Sequence, residues 1–142
     1  MPNLKDVAAR LTTGLHATVY RASGGRVGNR GFGMPVVMLT TTGRKSGKRR
    51  TTMLTSPVHD ENRVVLVASY GGDDRNPAWF LNLRANPEVE LAMGGRTRTM
   101  RAHVASPEER AELWPQVVKA YSGYGQYQEK TEREIPLVIL EP

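Results

Sequence analysis

The spacing of apolar positions in this chain changes character along its length. Between residues 3 and 21, Leu4, Val7, Ala8, Leu11, Leu15 and Val19 recur at steps close to three and four, which predicts an amphipathic helix with Asn3 as its cap. Ser23 to Gly33 is rich in glycine and arginine and reads as a linker. From Pro35 the pattern becomes that of strands. Val36 to Thr42 is a short β-branched run that stops at Gly43, and Arg50 to Val58 resumes after a turn at Arg44 to Lys48, the pattern of a β-hairpin. Asp60, Glu61 and Asn62 predict a second turn. Val64 to Ser69 is apolar at nearly every position, as a central strand is.

The second half alternates helices and strands. Tyr70 to Asn76 is a glycine- and aspartate-rich loop; Asn76 and Pro77 then predict the cap and first turn of a helix through Trp79, Phe80 and Leu83, ended by Asn86-Pro87. For Trp79 core packing is the preferred reading. Val89 to Met93 and Thr97 to Ala105 flank Gly94-Gly95 as a further hairpin. Ser106, Pro107 and Glu109 supply an N-cap, a first-turn proline and a capping-box acid. The helix that follows has Trp114, Val117, Val118 and Tyr121 on one stripe, with a kink expected at Pro115. A tyrosine-rich segment leads to a last strand, Ile135 to Leu140. About six mostly antiparallel strands with flanking helices predict an α+β fold of barrel type rather than a doubly wound sheet. Residues 1–33 read as an N-terminal helix and linker, and residues 34–142 as the barrel domain.

Composition narrows the function. A chain of 142 residues, 39% hydrophobic, has the size to bury one core. No apolar run approaches the ~20 residues a membrane-spanning helix requires, and the N-terminus lacks the apolar stretch of a secretory leader, so a cytoplasmic location is expected. The absence of cysteine excludes disulfides and thiolate metal sites, leaving any redox chemistry to a cofactor. His16, His59 and His103 are far apart and lack metal-ligand spacing. The net charge of +6 is uneven: residues 1–34 carry +4, residues 43–50 carry +5, and the remainder −3. A general nucleic-acid binder carries its basic face more broadly, and this loop has no aromatic residue on which a base could stack, so no nucleic-acid partner is expected. Two local anionic partners fit better. For the N-terminal helix, docking on the barrel is the preferred reading; the other is peripheral contact with anionic lipid on the inner face of the cell membrane.

Two segments have the composition of a binding site. Gly43-Arg44-Lys45-Ser46-Gly47-Lys48-Arg49-Arg50 joins two strands, so it must turn tightly while presenting cations; its glycines let main-chain amides approach a phosphate or carboxylate. A solvated hairpin tip is the plain alternative. Ala68-Ser69-Tyr70-Gly71-Gly72, followed by Asn76-Pro77-Ala78-Trp79, places a serine, two glycines and a helix start where a flat ring with a polar edge could sit.

The strings LTTTGRKSGKRRTTML, VLVASYGGDDRNPAWFLNLRANPEVEL, AELWPQVVKAYSGYGQYQ and REIPLVILEP, in this order, resemble the deazaflavin-dependent nitroreductase family of the flavin/deazaflavin oxidoreductase superfamily. That family includes mycobacterial quinone reductases that use coenzyme F420, and the likeness runs from about Leu15 to the end of the chain. The resemblance implies a split β-barrel that binds F420 and passes hydride to a menaquinone-like or nitroaromatic acceptor. FMN, haem, or a non-catalytic F420 carrier role are the alternatives. It also implies that Lys45 and Arg50 hold the phosphate of F420, with Arg44, Ser46 and Gly47 completing the loop. Val67, Ala68, Ser69, Tyr70, Gly71 and Gly72, together with Pro77, Ala78 and Asn82, would line the ring and tail. Tyr121, Tyr124 and Tyr127 would stand at the substrate mouth, with Ser69 and Tyr124 as the foremost donors to the acceptor oxygen. Two positions depart from the pattern: Tyr70 stands where a lysine is common, and Thr55 where an aromatic residue occurs.

Overall fold

The computed structural model describes residues 30–31 and 33–142; the expected N-terminal helix lies outside the described residues. Among the described residues, eight strands form an antiparallel split β-barrel. They are β1 (Arg30–Gly31), β2 (Met34–Thr42), β3 (Arg49–Thr55), β4 (Val58–Asp60), β5 (Arg63–Val67), β6 (Glu88–Met93), β7 (Arg96–Val104) and β8 (Leu137–Glu141). The path runs β1-β2-β6-β7-β8-β5-β4, and β3 pairs with the other edge of β2. Among the described residues there are three α-helices: α1 (Ala78–Ala85), α2 (Pro107–Ala120) and α3 (Gly123–Glu129).

The two-residue period of the strands divides the core. Val64 and Leu66 of β5 join Val37, Leu39, Leu91, Met100, Val138 and Leu140 in one buried cluster, into which α1 inserts Trp79, Phe80 and Leu83. Val65 and Val67 point the other way and pack with Leu137 and Ile139 against Leu113 and Val117 of α2 and Tyr124 of α3. β5 is therefore covered on both faces, as its unbroken apolar run requires. The expected capping box is present at the start of α2, where Ser106 Oγ accepts from the Glu109 N–H and Glu109 Oε1 accepts from the Ser106 N–H. The helix continues through Pro115 to Ala120.

Three expectations change, each for a local reason. The segment Arg50 to Val58 is two strands, because Pro57 has no N–H to donate and Ser56 turns inward. Fully buried Ser56 donates its N–H to Pro35 O at 3.1 Å, and its Oγ lies 2.9 Å from the carbonyl oxygens of both Val58 and Val65. It thereby ties the β2 and β3 side of the barrel to β4 and β5. The last strand starts at Leu137, since Pro136 also lacks a donor, although its carbonyl accepts from the Ala68 N–H at 3.0 Å. The tyrosine-rich connection contains a helix, α3, which glycine-interrupted spacing concealed.

Replacing Ser56 by alanine removes the one hydroxyl proton that the Val58 and Val65 carbonyls share. Urea unfolding is expected to show a loss of about 1–3 kcal/mol with an unchanged denaturant slope.

Candidate active site

The cationic loop is built by the β2–β3 hairpin, whose register closes at Thr42 opposite Arg49. Gly43 donates its N–H to Lys48 O at 2.7 Å, and Gly47, at a φ of 70°, donates to Gly43 O at 2.9 Å. A side chain on Gly43 would collide with Ser46 Oγ, which instead accepts from the Lys48 N–H at 3.2 Å. Two of the five cations are engaged. Arg49 bonds Thr42 Oγ1 at 3.0 Å and pairs with Glu90 at 3.4 Å, while Arg44 donates both its N–H and Nη1 to Asn82 Oδ1, each at 3.2 Å. Lys45, Lys48 and Arg50 are exposed and have no ion-pair partner among the described residues. Asn82, only 5% exposed, completes its amide by donating to buried Thr41 Oγ1 at 3.3 Å. Its carbonyl is thus occupied in holding the loop to α1.

The second segment leaves β5 at Val67 and reaches α1 through a strained turn. Tyr70, Gly71 and Gly72 have φ values of 45°, 65° and 85°, and left-handed geometry at a tyrosine costs on the order of 1 kcal/mol or more. At Gly72 a Cβ would come within 2.8 Å of Tyr127 O, so this position requires glycine. Ser69 is 8% exposed, and its hydroxyl has no partner among the described residues. Asn76 does not cap α1, which has no side-chain cap; its Oδ1 instead accepts from Arg133 Nη1 at 3.0 Å. Pro77 stands at the cap position, its carbonyl accepting from the Phe80 N–H at 3.1 Å.

The three tyrosines meet in one cluster. Ring centroids lie 5.2 Å apart for Tyr121 and Tyr124, 6.2 Å for Tyr124 and Tyr127, and 6.4 Å for Tyr121 and Tyr127, all edge to face. The Tyr121 ring covers Gly123, where a Cβ would overlap it. Tyr124 is 6% exposed and its hydroxyl lies 2.8 Å from Thr55 Oγ1, so the position that departs from the family pattern holds this phenol. Burial holds the Tyr124 proton above its ordinary 10.0, against the opposing bond from Thr55; Tyr127 is raised through its hydrogen bond with Tyr121 and by burial.

Helix α1 connects these parts. The strained segment feeds its N-terminus and Asn82, in its second turn, holds Arg44, so about one helical turn, roughly 6 Å, lies between the start of α1 and the anchor of the cationic loop. The family model for F420H(2)-dependent quinone reductases matches residues 12–142. The chain belongs to that family. An F420H(2)-dependent quinone reductase of Mycobacterium tuberculosis strain H37Rv is 41% identical over 131 residues, covering 89% of this chain and 87% of the relative. The solved structure of an F420-H2 dependent reductase, FDR-A, is 42% identical with a TM-score of 0.69, covering 75% of this chain and 94% of its own. A structure described as a domain-swapped dimer is 37% identical with a TM-score of 0.71, covering 89% and 96%.

The residues present fit the family's cofactor. The unpartnered Ser69 hydroxyl and the glycine-lined turn suit a flat ring with a polar edge, and the three unpaired cations suit a phosphodiester and acidic tail. Sequence reasoning missed Thr41 and Arg133, which carry no charge run or motif of their own. Arg133 donates to Ala68 O, Ser69 O, Asp73 O and Asn76 Oδ1 at 2.9–3.2 Å, and burial draws its guanidinium below its usual pKa while Asp73 and Asp74 oppose the shift.

Tyr124 and Tyr127 hold their protons more tightly folded than unfolded, so stability is expected to fall as pH rises past 10.0. In an ultraviolet phenolate titration both should ionise above the ordinary 10.0, and Thr55→Val should move Tyr124 higher still. Loss of any shift in Thr55→Val, or a downward one, would contradict the Thr55 contact.

Proposed function

We propose that this chain passes a hydride from reduced F420 to a quinone, with Lys45 and Arg50 gripping the cofactor's phosphate and the Ser69–Gly72 turn receiving its ring. The observation that supports this most is the pairing through α1 of unpaired cations with a niche containing an unpartnered serine hydroxyl. When bound, the deazaflavin supplies the hydride; the protein supplies position, exclusion of water and charge stabilisation. Lys45, Lys48 and Arg50 would bind the anionic end. Arg44 and Asn82 keep that loop in register with α1.

Ser69 is the donor we assign to developing negative charge on the acceptor oxygen, since its hydroxyl is uncommitted. The Tyr124 hydroxyl is already engaged by Thr55 and approaches Met34 Sδ at 4.0 Å, so this residue shapes the wall of the pocket, with Tyr121 and Tyr127 beside it. Val67, Ala68, Pro77 and Ala78 flank the niche through their places on β5 and at the start of α1. A nitroaromatic acceptor would present its oxygens to the same serine. For the N-terminal helix expected over residues 3–21, docking on the barrel stays the first reading; the second, peripheral contact with anionic lipid, would bring a lipid-soluble quinone to the pocket.

Anaerobic mixing of the protein with reduced F420 and menadione tests the reading through the return of the oxidised chromophore. Lys45→Ala/Arg50→Ala is expected to raise KM for reduced F420 about tenfold or more with little change in kcat. Tight FMN or haem binding without F420 binding would overturn it, and a chain that binds F420 but oxidises it with no acceptor would be a carrier. On the second reading of the N-terminal helix, deleting residues 1–29 abolishes sedimentation with anionic vesicles while leaving menadione turnover in solution intact. Undiminished sedimentation would refute the lipid contact.

A further inference from the structure

We propose that Arg133 is a positioning residue that sets the shape of the ring-receiving segment through its backbone, without contacting the cofactor; its consequence for binding rests on the F420 reading above. Four acceptors across that segment converge on its guanidinium. Nη2 donates to Ser69 O at 2.9 Å and Ala68 O at 3.2 Å, Nε to Asp73 O at 2.9 Å, and Nη1 to Asn76 Oδ1 at 3.0 Å. These acceptors bracket the three consecutive left-handed residues Tyr70, Gly71 and Gly72. A turn of that kind persists only where its surroundings over-determine it, and the planar fork of five donors matches a spread of four acceptors in a way a lysine ammonium cannot.

The backbone of Arg133 is itself anchored to the tyrosine helix. Gln128 of α3 donates from Nε2 to Arg133 O at 2.7 Å, and its Oε1 accepts from the Ile135 N–H at 2.9 Å and from Arg110 Nη2 at 3.2 Å. Thr131 Oγ1 adds a bond to Asp74 Oδ1 at 2.8 Å. The niche wall formed by the tyrosines and the niche floor formed by Ser69 to Gly72 are therefore set by one connected group of side chains. A change at Arg133 displaces the Ser69 hydroxyl relative to the phenols while leaving the cationic loop, held by Asn82, in place.

The test compares two probes, F420 and its phosphate-free fragment of ring and ribityl chain, on wild type, Arg133→Ala, Arg133→Lys, Asn76→Ala and Lys45→Ala/Arg50→Ala. Arg133→Ala is expected to weaken both probes by the same factor, about 10- to 100-fold, and to lower kcat; lysine should not restore either. Asn76→Ala, which removes one acceptor, should weaken both probes less. The loop variant should weaken F420 alone. Millimolar guanidinium should recover part of the activity of Arg133→Ala, a rescue that general loss of stability would not allow. Amide exchange in Arg133→Ala should rise over residues 69–76 and not over residues 64–67. Unchanged affinity for both probes, or a loss confined to F420, would overturn the proposal. If wild type bound neither probe the F420 reading would fall, and unchanged exchange over residues 69–76 would then overturn the strap by itself.

Discussion

Two irregular segments leave the barrel with peptide groups that no neighbouring strand can satisfy, and meeting that need is the constraint on which the site depends. Asn82 meets it for the cationic loop, taking two donors from Arg44 on one oxygen and giving its own amide proton to Thr41. Arg133 meets it for the turn after β5, serving three carbonyls and the Asn76 amide. Each tether is a partly or fully buried polar side chain on a helix or an adjoining connection, so the loops inherit the rigidity of the core beneath them. Both sides of that core are in turn joined at Ser56, where the barrel's two halves meet.

On the proposed reading, this arrangement separates the two tasks of a cofactor site. Charge is concentrated where solvent is plentiful, so exposed Lys45, Lys48 and Arg50 lose little hydration on folding. Ser69 itself is only 8% exposed, so its hydroxyl is largely shielded from water, and a hydrogen bond formed there is worth more than one in solvent. Helix α1 sets the spacing between the two, and Trp79, Phe80 and Leu83 fix that helix by filling the barrel's interior. The aromatic and apolar face of α1 thus fixes the helix in the core, and its polar Asn82 holds the cationic loop.

Much of the fold was legible because burial on two faces writes itself as unbroken apolar runs and because hairpins announce themselves with glycine. The β2–β3 and β6–β7 hairpins, the capping box of α2 and the core position of Trp79 all follow from such local signals. What was concealed depended on partners distant in sequence. Asn76 has the composition of a helix cap, yet a stronger donor 57 positions away claims its oxygen. Helix α3 is hidden because Gly123 and Gly125 lower its propensity, while the stacking of Tyr121, Tyr124 and Tyr127 supplies what propensity does not. The cationic loop was visible as charge, but not the engagement of Arg44 and Arg49 that leaves three cations free. The family resemblance brought Asn82 forward as a binding residue; its bonds to Arg44 and Thr41, made with partners 38 and 41 positions away, left no trace in the sequence.

Cations with no ion-pair partner among the described residues and an acidic ligand tail must produce binding that weakens with ionic strength. The decisive measurement is therefore the dissociation constant of F420 across rising salt, set beside that of the phosphate-free deazaflavin fragment. Steeply weakening F420 affinity with a nearly flat curve for the fragment is the expected result. Equal, salt-insensitive affinities for the two ligands would contradict the division of the site into a charged grip and a neutral niche.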